Sequence, residues 1–150
     1  MIYFIILLAV ALALAPLSHF IPSRQQRQQA RLREAAALGG LFVEFRNLPS
    51  SGGPGARVAR ADSIYYGLRL RPPRGRATRQ GVWLRDGQGW RSLGERRQPL
   101  PPALSSMPAS VLAASVDESS CGIYWRESAE LSTVDEIGKL LKIWAGELEA

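Results

Sequence analysis

The sequence predicts an α+β chain: one N-terminal transmembrane helix, then a small, mostly antiparallel sheet with a C-terminal amphipathic helix. Three observations predict it. Residues 2–21, IYFIILLAVALALAPLSHFI, contain no Asp, Glu, Lys or Arg. Between residues 41 and 126, short runs rich in β-branched and aromatic residues alternate with Gly/Pro-rich breaks, the pattern of strands and turns. The last twenty residues carry an apolar stripe at helical spacing. The 150-residue length leaves room for one small domain behind the apolar segment.

The apolar run comes first. At 1.5 Å per residue, twenty residues reach about 30 Å, the thickness of a bilayer's hydrocarbon core. Pro16 is expected to bend the helix without ending it. A cleaved signal peptide is the competing reading. It is weakened by the absence of a basic n-region and by Pro16 directly after the small-residue pattern Ala13-Leu14-Ala15. The segment that follows, IPSRQQRQQARLR, carries Arg24, Arg27, Arg31 and Arg33, whereas no basic side chain precedes the span. By the positive-inside bias this predicts an inner-membrane, single-pass protein with its N-terminus periplasmic and its C-terminal domain cytoplasmic. The same arginines attract anionic lipid headgroups.

Ser23 and Gln26 have the spacing of a capping box, so a basic helix is expected to start here and run to Leu38, ending at Gly39-Gly40. The expected organisation is an anchor over 1–22, a basic juxtamembrane helix over 23–39 and an α+β domain over 40–150.

Within that domain, residues 41–46 and 63–71 read as strands, separated by a glycine-rich loop over 47–61 that has neither a Gly-Lys-Ser/Thr nor a G-x-G-x-x-G phosphate-binding pattern. Arg74, Arg76 and Arg79 lie on a turn after Pro72-Pro73. A hairpin follows: residues 81–85, the turn Asp86-Gly-Gln-Gly89, and residues 90–93, with Trp83 and Trp90 expected near each other across the ladder. Pro99-Leu-Pro-Pro102 reads as a connection, residues 108–115 as a short helix and residues 121–126 as the last strand. Thr133 and Glu136 form a second capping-box pattern, opening a helix to about Leu148 with Val134, Ile137, Leu140, Leu141, Trp144 and Leu148 on one stripe. That stripe is core against the sheet or a face for a partner.

Charge divides the chain. Residues 1–100 hold sixteen Arg against five acidic residues, and residues 101–150 hold three basic residues against eight acidic ones. Arg69, Arg71, Arg76, Arg79, Trp83, Arg85, Trp90 and Arg91 form an Arg/aromatic set that is a candidate binding surface. Arginines alternating with buried aromatics is the plainer reading of the same residues. No RNP-like or other specific motif supports nucleic acid as the ligand.

Catalytic chemistry is sparse. His19 is the sole histidine and Cys121 the sole cysteine, so neither a disulfide nor a cysteine-based metal cage can form within the chain. Motifs of zinc proteases, thiol redox centres and serine hydrolases are absent. The acidic pairs Asp117/Glu118 and Glu127/Glu130 lie in polar loops. No cofactor, no metal and no enzymatic activity is expected.

The span, then Arg24-Gln-Gln-Arg27, then Gly39-Gly-Leu41 resemble the YajC-type accessory subunits of the bacterial protein translocase, and short inner-membrane proteins of similar layout. This covers about the first forty residues. It implies a non-catalytic accessory or scaffold role in which the domain binds a membrane protein complex. A binding module for nucleic acid or anionic lipid is the alternative.

Overall fold

The computed structural model describes residues 1–15, 22–49, 63–72, 79–87, 89–94, 98–127 and 130–150. His19, the loop over 50–62, and Arg74 and Arg76 of the expected turn lie outside these. The chain divides into two compact units, Met1–Arg31 and Leu32–Ala150.

The first unit holds helix α1 (Ile2–Leu14) and the start of helix α2 (Arg24–Leu38). Here the membrane expectation fails. α1 has 13 residues, about 20 Å of helix, and among the described residues no helix is long and apolar enough to cross a membrane. The single-pass anchor, its orientation and its inner-membrane placement are withdrawn with it. With Ala15 as its C-cap, α1 is about seven residues short of the roughly twenty that a hydrocarbon core needs. α1 is apolar on all sides and none of its residues is buried.

The capping box at the start of α2 forms as spaced. The Ser23 N–H donates to Gln26 Oε1 at 2.9 Å, and the Gln26 N–H donates to Ser23 Oγ at 3.2 Å. At the other end Gly40 takes φ +84°, a left-handed value that glycine adopts without penalty. The Leu41 N–H reaches Ala36 O and the Gly40 N–H reaches Ala37 O, a Schellman closure that turns Leu41 inward.

The second unit is a six-stranded, wholly antiparallel sheet: β1 (Phe42–Glu44), β2 (Ser63–Arg69), β3 (Gly81–Asp86), β4 (Gly89–Leu93), β5 (Val111–Val116) and β6 (Ser120–Arg126). Their spatial order is β1-β2-β6-β5-β3-β4. Helix α3 (Pro102–Ser105) and helix α4 (Leu131–Glu149) complete it. One sheet face carries Ile64, Tyr66, Trp83, Val111, Cys121, Ile123 and Trp125, which form the main core. Leu32 and Ala36 of α2, Ala103 and Leu104 of α3, and Val134, Ile137, Leu141 and Trp144 of α4 join that cluster. The α4 stripe is therefore core.

Two local expectations are corrected. Residues 111–116 form β5, not a helix, because the segment lies between β6 and β3, where ladder pairing on both sides outweighs the helix preference of its alanines. Small Ala113 and Ala114 suit a strand flanked by Tyr124, Ile123 and Trp83. As expected, Trp83 and Trp90 stand on one face of the hairpin, diagonally across the ladder, since Trp83 pairs with Ser92 and Trp90 with Arg85; Trp83 also packs edge-on against Trp144, at 5.8 Å between ring centroids. α4 begins at Leu131 after Glu130 without a side-chain cap, and the Thr133 N–H already donates to Glu130 O, so Thr133 lies inside the helix.

Candidate functional site: the helix-free face of the sheet

Cross-strand register defines the opposite face. Phe42, Gly67, Gly122, Ser115, Val82 and Leu93 form one row, and Glu44, Tyr65, Tyr124, Ala113, Leu84 and Arg91 the next. Its apolar cluster comprises Tyr65, Ala113 and Tyr124, with Phe42, Leu48 and Leu84 packed against them. No residue of a described helix joins this cluster.

The glycines explain its shape. A Cβ on Gly67 would meet Phe42 Cζ at 2.5 Å and Tyr65 Cε1 at 2.7 Å. One on Gly122 would strike the Tyr65 ring and approach Tyr66 O to 2.6 Å. The missing side chains let the Tyr65 ring lie flat on the strands, where it is fully buried. Tyr124 meets it edge-on at 4.9 Å, and Phe42 at 5.8 Å.

Arginines lie over these rings. The Arg46 guanidinium sits 4.1 Å from the Tyr65 centroid and 5.8 Å from that of Phe42. Its Nε donates to Glu44 Oε2 at 2.6 Å. Arg69 sits 4.9 Å from the Phe42 centroid and forms no ion pair among the described residues. Burial raises the Tyr65 phenol above its ordinary pKa. Arg69, Arg91 and Arg126 stand on the same face, besides the Arg46–Glu44 pair. A guanidinium stacked on a ring is held in place with its N–H edge outward, the geometry suited to carboxylates.

The Arg/aromatic set expected from the sequence does not assemble into one surface. Arg69 and Arg91 are on the helix-free face. Trp83 is buried beneath α4. Arg85 Nη1 donates to Met107 O at 3.2 Å and Pro108 O at 2.6 Å, and its guanidinium lies over Trp90; this pair fastens the hairpin to the rest of the unit. Arg71 and Arg79 lie near the end of α4, where the Arg71 N–H donates to Glu149 Oε1 and Arg79 Nη1 donates to Arg71 O. Arg76 lies outside the described residues. Arg24, Arg27 and Arg31 are exposed on α2, and their topological role falls with the span.

Arg33 has a structural task. It makes a bidentate contact to Glu127, with Nε to Oε1 at 2.9 Å and Nη2 to Oε2 at 2.5 Å, and the Tyr66 hydroxyl donates to the same carboxylate at 2.8 Å. The Glu127 side chain is 5% exposed. Hydrogen bonding to Glu127 raises the Arg33 pKa, and burial, then Glu127, raise that of Tyr66. Glu127 therefore fastens the end of β6 to α2. Asp117 likewise serves the β5–β6 turn, accepting from Ser119 N–H and Oγ and from Ser120 N–H and Oγ. Cys121 is buried and its thiol is pushed up to about 12 by desolvation, so the thiolate that nucleophilic attack requires does not form near neutrality. Among the described residues no group of three or more His, Cys, Asp or Glu could hold a metal ion.

Tyr65 was read among the interleaved arginines and aromatics, but Arg46, Phe42 and Tyr124 were not singled out by the sequence. Gly67 and Gly122 inside strands are the signal that points to them, since such glycines mark close approach by a neighbour. No protein-family model, curated protein or solved structure matches the chain.

Proposed function

We propose that this chain is a non-catalytic accessory or scaffold protein that binds a partner protein through the helix-free face of its sheet. The observation that carries this reading is the pair Arg46 and Arg69 stacked over Phe42 and Tyr65 on a face that no described helix covers. A partner segment with acidic and apolar side chains complements it: carboxylates meet the guanidinium edges, and apolar groups meet half-buried Val82, Leu84 and Leu93. Single-stranded nucleic acid is less well served. Base stacking needs open ring faces, whereas Tyr65 and Tyr124 are buried. The protein translocase is one candidate partner by resemblance alone.

The test is affinity capture of the full-length chain from cells, with and without the double change Arg69→Glu/Arg126→Glu. A protein complex enriched by the wild type and lost with the double variant, at unchanged melting temperature, supports the reading. Enrichment of nucleic acid or lipid in its place, or a complex insensitive to both changes, overturns it.

A further inference from the structure

The covered side of the second unit has an opening of its own. Between the end of α2 and α4 lies a cleft of about 190 Å³, below the roughly 300–1,000 Å³ of small-molecule sites and sized for one large side chain. Its floor is small: Ala36, Gly39 and Gly138. The Schellman closure of α2 places Gly39 there, and a Cβ on Gly138 would meet only Leu41 Cδ1, at 3.8 Å. On the α4 side stand Asp135, Lys139 and Lys142, one and two turns apart along the helix. These are the only two lysines in a chain with seventeen arginines, so both of its flexible point charges flank one opening, with a net charge of one positive after Asp135.

We propose that this cleft is a second docking site, taking from a partner protein one apolar side chain while Lys139 and Lys142 hold carboxylates next to it. The lysines select an acidic neighbour. With the helix-free face on the other side of the sheet, the unit has two acidic-partner surfaces and joins two segments, as a scaffold does. This inference rests on the proposal that the chain binds protein.

Its experiment uses the lysine count. Carbodiimide couples a carboxylate to an amine without a spacer, and this chain offers Lys139, Lys142 and its α-amino group alone. Full-length protein is captured from cells, treated with carbodiimide, and its adducts are mapped by mass spectrometry. The wild type should give amide links from Lys139 or Lys142 to Asp or Glu of a captured protein. Lys139→Arg/Lys142→Arg should keep the partner and lose the links. Gly138→Leu, which fills the cleft, and Lys139→Glu/Lys142→Glu, which changes exposed side chains alone, should each weaken capture about tenfold or more. The inference is overturned if the wild type gives no such links, if they lead to a second copy of this chain, or if the charge reversal leaves capture unchanged. Links that persist in Arg69→Glu/Arg126→Glu show the cleft acting alone; capture lost there but kept in Lys139→Glu/Lys142→Glu leaves the helix-free face standing without it.

Discussion

The two faces of the sheet are built from similar residues and finished differently. On the covered face Trp83, Trp125 and Tyr66 are buried beneath α2, α3 and α4. On the other, Tyr65 and Tyr124 are as deeply buried, yet among the described residues Phe42 and the guanidinium of Arg46 are what lie against Tyr65. A helix supplies apolar area and closes a face to other molecules. A stacked arginine supplies shielding while leaving a charge at the surface. On the proposed reading, the first face stabilises the fold and the second meets a partner.

Substitutions on the two faces should therefore separate stability from binding. The largest effect is expected at Trp144, fully buried against Trp83: Trp144→Ala should cost about 3–5 kcal/mol in denaturant unfolding. Its indole N–H has no hydrogen-bond partner among the described residues, so Trp144→Phe should lose much less. Next comes Arg33→Ala, which leaves the buried Glu127 carboxylate without its guanidinium and should cost about 2–3 kcal/mol by the same measurement. A third change reaches the helix-free face from beneath. Gly122→Ala forces the Tyr65 ring off the strands and should cost about 1–3 kcal/mol, with a change in near-ultraviolet circular dichroism as the tyrosines move. If it is silent in both, Tyr65 does not lie flat.

The smallest effect belongs to Asp117. Burial works against its charge, but hydrogen bonds from Ser119 and Ser120 outweigh it and leave its pKa below the ordinary 3.8. A carboxylate depressed in the folded state binds its proton more readily when unfolded. Its contribution is thus complete above pH 3.8 and disappears as pH falls through the folded value. Asp117→Asn should lower the melting temperature slightly at pH 7, and the gap from wild type should close below pH 3.8.

What the sequence disclosed depended on how local each signal was. Ser23 with Gln26, Gly39-Gly40 and the α4 stripe from Val134 to Leu148 are written within a few residues, and the structure uses all of them. The alternation at residues 63–69 and the Asp86–Gly89 turn were legible for the same reason. Residues 111–116 were not, because their alanines favour a helix and only β3 and β6, distant in sequence, make them a strand. The apolar run misled by its composition, since the helix described within it, Ile2–Leu14, is shorter than the roughly twenty residues a span needs. The Glu127 site was invisible: 94 residues separate it from Arg33. On the helix-free face, Gly67 and Gly122 were in view, but the rings and guanidinium that exploit them are brought there by pairing of β1, β2 and β6.

The central claim, that the helix-free face docks a partner protein, is tested most directly by a photo-crosslinking amino acid placed in full-length protein at Leu84 or Leu93, with Glu147 on exposed α4 as the control, and irradiated in living cells. Abundant adducts from Leu84 and Leu93 to one protein, sparse at Glu147 and abolished by Arg69→Glu, are the predicted result. Adducts equally abundant at all three positions, or none from the sheet in a protein that melts like the wild type, would contradict it.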